Sequence, residues 1–497
     1  MTLSLTDTEA GAIAADAIII GTVAGGDSVR LVAGSAAVDA IDAAYEGKLA
    51  DLLGTLGATG AADEVVKLPT GGKLSAPILV AAGLGKPGAE DGVTAEQVRK
   101  ASGAAVRSLN GLTKAVNTLA QLDLTAAAEG SLLGRYQFTS YRSEPGKPAV
   151  GAVELVVGDA KDAEAKSAVD RATAVAEAVA TTRDFVNTPP NDLFPASFAA
   201  KAVELAEAAG LTTEVLDENA LEAGGFGGIL GVGGGSSRKP RLVRLTYTPK
   251  QSAKKVALVG KGITFDTGGI SIKPASGMEE MTMDMAGAAT MIATVVAAAK
   301  LQLDVAVTAT VPMAENMPSS TAYRPGDVLS HYGGKTVEVV NTDAEGRLIL
   351  ADAIVRACED EPDYLIEAST LTGAAVVALG TKTGAVMGSD ELRDRIVARA
   401  GDAGESMWPM PLPEDIRADL DSRLADITNS LPHRWGGMLA AGLYLKEFVA
   451  EGVPWAHLDI AGPAYNSKGA YGYVTKGGTG VAVRTLLATL EDIATNG

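Results

Sequence analysis

Short apolar runs alternate with longer stretches rich in Ala, Glu and Lys along the chain. Pro77-Ile78-Leu79-Val80-Ala81-Ala82-Gly83 is almost continuously apolar and closes on glycine, as a buried strand running into a turn does. Val153-Glu154-Leu155-Val156-Val157-Gly158 repeats that pattern. Residues 162 to 187 hold neither Gly nor Pro, which predicts one long helix. It stops at Asn187-Thr188-Pro189-Pro190, where paired prolines cannot continue it. Further on, Lys255–Val259 predicts a strand running into Gly260, Ala286–Lys300 a helix, and Asp304–Thr310 and Val337–Val340 strands. Leu348–Cys358 predicts a helix, and Tyr364–Ala368 a strand entering Ser369-Thr370-Leu371-Thr372-Gly373. This alternation predicts an α/β fold of two domains, each a mixed sheet flanked by helices. The expected boundaries are 1–160 for an N-terminal domain, 161–187 for a connecting helix and 188–497 for a C-terminal domain. Ligands of such sheets bind beyond the carboxyl ends of the strands.

Composition narrows the classes. The chain has 497 residues, more than one core usually supports, with 47% hydrophobic and 21% charged residues. Aromatics are 4%, so small aliphatic side chains must fill the interior. The formal charge is −19, and residues 1 to 160 alone hold 18 acidic and 12 basic groups, or −6. Such a chain repels phosphate backbones, which argues against DNA as a partner. The single Cys358 excludes an internal disulfide and a cysteine-rich zinc module. The first basic residue is Arg30, after Asp7, Glu9 and Asp16, so no secretory leader is expected. No run of about 18 apolar residues is visible, so no membrane span is expected and the cytoplasm is the expected location.

Several motifs fail. Gly231-Val232-Gly233-Gly234-Gly235 follows no convincing strand and is expected to be a mobile or turn-rich loop. Gly334-Lys335-Thr336 lacks the first glycine of a phosphate loop, because position 329 is Leu. No Gly-x-Ser-x-Gly elbow is present. His331, His433 and His457 lie far apart and are expected to be structural hydrogen-bonding residues.

The informative chemistry lies at strand and helix ends. Lys261, Asp266 and Lys273 follow the strand that ends at Gly260, with Gly268 and Gly269 between the last two. Asp284 precedes the helix at Ala286, where its plainest role is an N-cap. Asn341-Thr342-Asp343-Ala344-Glu345-Gly346-Arg347-Leu348 joins a strand to a helix. Its acids would diverge on a straight strand and can converge in a turn at a helix N-terminus. The alternative is a capping turn with an Asp343–Arg347 ion pair. Packing Asp266, Asp284, Asp343 and Glu345 together without cations would be very costly. Two divalent cations would balance them: magnesium or manganese suits such a site, and zinc also accepts oxygen ligands. Lys261 could join them only as a neutral amine.

At these residues the chain resembles the leucyl aminopeptidase (cytosol aminopeptidase) family of dinuclear metallopeptidases. The octapeptide 341–348 looks like that family's signature. Lys261 to Asp284 has its spacing, and Ala368–Ala374 and Trp455–Gly462 are further matches. The resemblance implies that Lys261, Asp266, Asp284 and Glu345 hold one metal. Asp266, Asp343 and Glu345 would hold the other. It implies Lys273 and Arg347 as catalytic cations, the first stabilising the oxyanion and the second placing a bicarbonate proton shuttle. It assigns Met281, Thr370, Leu371, Gly373 and Ala461 to substrate binding. It further implies two manganese or zinc (or magnesium) ions per subunit, release of N-terminal residues, leucine preferred, from peptides with a free N-terminus, and a homohexamer. A metal-dependent phosphatase is the rival chemistry, and a DNA-binding accessory protein the rival class.

Overall fold

The computed structural model describes residues 2–26, 28–88, 92–252 and 254–497. It divides into two compact units. One runs to Ala180 and takes in Asn466–Lys476; the other is Thr181–Tyr465 with Gly477–Gly497. The long helix Ala163–Asn187 ends one residue before Thr188-Pro189-Pro190, where the prolines stop it.

Among the described residues the first unit holds a seven-stranded sheet. Thr2–Thr6, Ala152–Val156, Lys114–Asn117, Ala17–Ala24 and Ile78–Gly83 pair in parallel in that order. Val65–Pro69 closes the edge antiparallel. The core is Ile, Val, Leu and Ala, as a chain poor in aromatics requires.

The second unit holds a nine-stranded mixed sheet among the described residues. Its centre is parallel: Trp455–Asp459, Tyr364–Ser369, Lys255–Gly260 and Ala306–Asn316. Side chains alternate across a strand, so a strand covered on both faces is mostly apolar, and a polar residue within it must find a partner. Val256 and Leu258 enter one core with the helix Ala286–Lys300; Ala257 and Val259 enter the other with the helix Gly346–Cys358. The first of these helices starts hard against the strand ends. A Cβ on Gly287 would lie 2.1 Å from the Ala368 carbonyl oxygen, so only glycine permits that approach.

Four expectations change. The strand expected at Val337–Val340 is only Thr336–Glu338, in a small separate sheet with Val328–Ser330 and Ile427–Thr428. The strand expected over Asp304–Thr310 starts at Ala306 and continues to Asn316. That extension gives a further strand, Gly262–Asp266, its parallel partner. Of the expected glycine loop, Gly231–Gly233 instead form the end of a helix, Gly227–Gly233, and Gly234 and Gly235 turn out of it. A Cβ on Gly231 would meet the Leu329 side chain at 2.8 Å and one on Gly233 the Pro240 ring at 2.8 Å, so these glycines serve close packing. Finally, Met278–Lys300 is long and apolar enough to cross a membrane by length and composition, but 83% of an 18-residue window within it is buried inside the fold.

Candidate metal centre

The central strands deliver their polar residues to one end of the sheet. Lys261 follows Gly260, Asp266 ends Gly262–Asp266, and Thr370 follows Ser369. Glu345 stands at the N-cap of the helix Gly346–Cys358. The acids at 343 and 345 converge: Asp266, Asp343 and Glu345 each present an oxygen within 4.8 Å of the others.

Asp284 does not cap the helix that follows it. Met285 holds the N-cap position, and Asp284 Oδ1 instead accepts from Lys261 Nζ at 2.8 Å and from Thr370 Oγ1 at 2.7 Å. Lys261 Nζ also reaches Glu345 Oε1 at 2.8 Å and donates to the Thr370 carbonyl at 3.1 Å. This lysine is 3% exposed and is no surface group. Lys273 Nζ lies 2.7 Å from Asp266 Oδ2 and 2.6 Å from Asp343 Oδ1. Asp343 therefore pairs with Lys273 and not with Arg347. Arg347 donates to the Asn429 carbonyl at 2.9 Å and lies near the Tyr444 ring.

The charges explain the electrostatics. Four carboxylates against two ammonium groups leave a formal excess of two negative charges, with Lys261, Asp266, Asp284 and Glu345 buried and Lys273 and Asp343 partly exposed. Burial pushes Asp284 up to about 8, against the pull of Lys261 and with help from Glu345 and Asp266. Burial and Glu345 together push Asp266 up to about 6, against Lys273 and Lys261. Burial raises Asp343 as well. Burial would also raise Glu345, but Lys261 and Lys273 outweigh it and hold it low. Burial would lower Lys261 and Lys273; the surrounding carboxylates prevail and hold both above the usual lysine value. Arg347 is lowered by its burial.

A divalent cation fits this arrangement. Asp284 Oδ2 and Glu345 Oε2 are buried and accept no hydrogen bond. They are free lone pairs aimed into a site of excess negative charge, which is what a hard cation needs. Lys261 Nζ contacts the other oxygen of each of these two carboxylates, Asp284 Oδ1 and Glu345 Oε1, so its position suits a ligand, although its proton must leave first.

The substrate candidates divide. Thr370 is tied to the cage through Asp284 and Lys261. Leu371 and Ala461 are joined to each other by Asp459, which accepts from both backbone N–H groups at 3.2 Å. Gly373 is exposed at the start of the helix Gly373–Leu379, and Met281 lies in the short helix Met278–Met283 before Asp284. The histidines are structural: His331 bonds Asp352, His433 bonds Asp419 and His457 bonds Glu367.

Sequence reasoning missed the supports. Asn316 Nδ2 donates to Asp266 Oδ1 at 2.8 Å and to the Thr342 carbonyl at 3.0 Å, and Tyr323 OH donates to that carbonyl at 2.7 Å. Asn316 had one usable signal, a polar residue closing an apolar strand. Asn429 had none, since its amide bonds the octapeptide backbone from 88 residues away in sequence.

A family model described as "Cytosol aminopeptidase family, catalytic domain" matches residues 180–487. The chain belongs to the cytosol aminopeptidase family. The N-terminal domain model of that family matches residues 26–145. The probable cytosol aminopeptidase of Rhodococcus opacus (strain B4) is 59% identical over 97% of this chain and 95% of its own length. That of Mycobacterium tuberculosis (strain H37Rv) is 56% identical over 90% and 88%. Two solved structures share the fold. The bottromycin maturation enzyme BotP in complex with Mn matches at a TM-score of 0.84 and 38% identity, over 97% of this chain and 100% of that one. A tomato leucine aminopeptidase variant matches at 0.86 and 28% identity, over 99% and 96%. This cytosol aminopeptidase family member is thus a hydrolase of the metalloexopeptidase class, acting on peptides.

Proposed function

We propose that the protein releases N-terminal residues, leucine preferred, from peptides with a free N-terminus, using two divalent cations per subunit. The convergence of Asp266, Asp343 and Glu345 carries this reading. Lys261, Asp266, Asp284 and Glu345 would hold one ion, and Asp266, Asp343 and Glu345 the other. Manganese or zinc is proposed, with magnesium the hard-cation alternative. When bound, such a pair supplies Lewis-acid polarisation and a water of lowered pKa.

The chain's own residues do the rest. Lys273 is held cationic by Asp266 and Asp343, so its ammonium can stabilise the negative charge that develops on the substrate carbonyl oxygen. Arg347 is cationic and only partly satisfied, with Nε unpartnered, and would position a bicarbonate that carries the proton to the leaving amine. The histidines are occupied elsewhere, which favours an external shuttle. Met281, Thr370, Leu371, Gly373 and Ala461 would line the pocket for the first side chain. A homohexamer in the cytoplasm completes the proposal.

Metal analysis of the purified protein, coupled to a substrate panel, tests it. Two equivalents of metal per chain are expected, with hydrolysis of leucyl p-nitroanilide and none of its N-acetyl derivative or of p-nitrophenyl phosphate. Full activity of a verified metal-free protein would overturn the metal reading.

A further inference from the structure

We propose that Asp459 is a positioning residue that sets the geometry of the pocket for the first substrate side chain. The inference rests on the substrate-binding assignment above and adds a residue that assignment does not contain. Asp459 ends the strand Trp455–Asp459, in register with Ser369 on one side and Ala385 on the other, and is fully buried. Strands on both sides therefore fix its backbone.

Its carboxylate ties the distant 371–372 backbone to its own chain two residues on, at Ala461. Oδ1 accepts from Leu371 N and Ala461 N, each at 3.2 Å, and from Thr372 N at 3.5 Å. Oδ2 accepts from Thr372 Oγ1 at 2.6 Å. Thr372 Oγ1 in turn accepts from Ala375 N at 3.0 Å, so the same hydroxyl caps the helix Gly373–Leu379. At its other end the 370–372 segment is pinned to the cage, through the Thr370 hydroxyl on Asp284 and the Thr370 carbonyl on Lys261. The segment is thus stretched between the metal ligands and Asp459, and the Ala461 wall hangs on the same carboxylate.

A carboxylate suits this place because every one of these partners is a donor, and an ionised carboxylate only accepts. An amide would turn an N–H₂ group toward at least one of them. Without the clasp, Leu371 and Ala461 keep their chain connections but lose their common reference point. Pocket walls that bind ground state and transition state alike govern KM rather than kcat.

The test uses the metal-loaded full-length protein and leucyl, alanyl and glycyl p-nitroanilides. Wild type, Asp459→Ala, Asp459→Asn and Thr372→Val are compared. Asp459→Ala is expected to raise KM for the leucyl substrate about tenfold or more, because several charge-assisted bonds are lost at once. Its kcat should change by less than about threefold, and its leucyl-over-glycyl preference in kcat/KM should fall about tenfold. Asp459→Asn, which keeps one acceptor oxygen, should recover much of the loss. Thr372→Val, which removes the hydroxyl arm together with the cap of the helix Gly373–Leu379, should shift KM and preference the same way by less. A merely structural aspartate would lower kcat through a smaller folded fraction, with KM and preference unchanged. That result overturns the proposal. If Asp459→Ala cannot be purified, wild-type KM and preference in Thr372→Val overturn it equally. Wild-type protein that cleaves all three anilides with no side-chain preference would instead remove the pocket assignment on which the proposal stands.

Discussion

Lys261 and Lys273 carry the same charge within one cage, yet their surroundings predict different failures. Lys273 is the more exposed and bridges Asp266 and Asp343 from one side. Lys273→Ala should lower kcat by about a hundredfold or more, as loss of an oxyanion stabiliser does. Metal content, measured by atomic spectroscopy, should stay intact; loss of metal would reassign the residue to the cage. Glu345→Gln removes one negative charge from the acid that contacts Lys261 and faces Asp266 and Asp343. It should weaken both ions, seen as metal transfer to a chelator at lower chelator concentration than wild type needs.

At the scale of elements, the close seat of the helix Ala286–Lys300 against the strand ends is the sharpest constraint. Gly287→Ala would drive a methyl into the Ala368 carbonyl, and the rigid strand cannot yield. A loss of about 1–3 kcal/mol is expected, read from urea unfolding. The sheet interior carries its own titration. His457 and Glu367 face each other across adjacent strands in full burial. Burial lowers the histidine, but the Glu367 carboxylate outweighs it and leaves His457 above its usual 6.5. The folded chain thus binds this proton more tightly than the unfolded chain. Its stabilisation is complete below about pH 6.5 and fades as pH rises through the raised folded value. Unfolding free energy should fall over that window in wild type. In the Glu367→Gln/His457→Gln double variant this part of the slope should vanish; an unchanged slope would refute the assignment.

For the whole molecule, the excess negative charge in the cage couples metal to stability. A ligand that binds only the folded state adds about 2.7 kcal/mol at a hundredfold excess over Kd. Manganese or zinc should therefore raise the melting temperature progressively with concentration, and a chelator should reverse it. Chelation should also abolish leucyl anilide hydrolysis, and added metal should restore it. A melting temperature indifferent to metal would mean that the ions bind folded and unfolded chains alike, against a preformed cage.

Local pattern alone determined a good deal. Apolar runs marked the doubly covered strands, unbroken over Val256–Gly260 and interrupted only by Glu367 over Tyr364–Ala368, and the Gly- and Pro-free run marked the helix Ala163–Asn187. Covered strands and uninterrupted helices depend on neighbours in sequence, so they leave such a trace. The octapeptide and the Lys261–Asp284 spacing likewise named the acids. What the tertiary structure decided was who meets whom. It turned Asp284 from a helix cap into a partner of Lys261 and gave Asp343 to Lys273 instead of Arg347. It also made part of a glycine run a packed helix and brought Asn316, Asn429 and Asp459 to the site. A cap and a cage ligand look identical along the chain, because the difference is the direction of one side chain. That direction is set by Lys261 and Thr370, 23 and 86 residues away, whose meeting no local window contains.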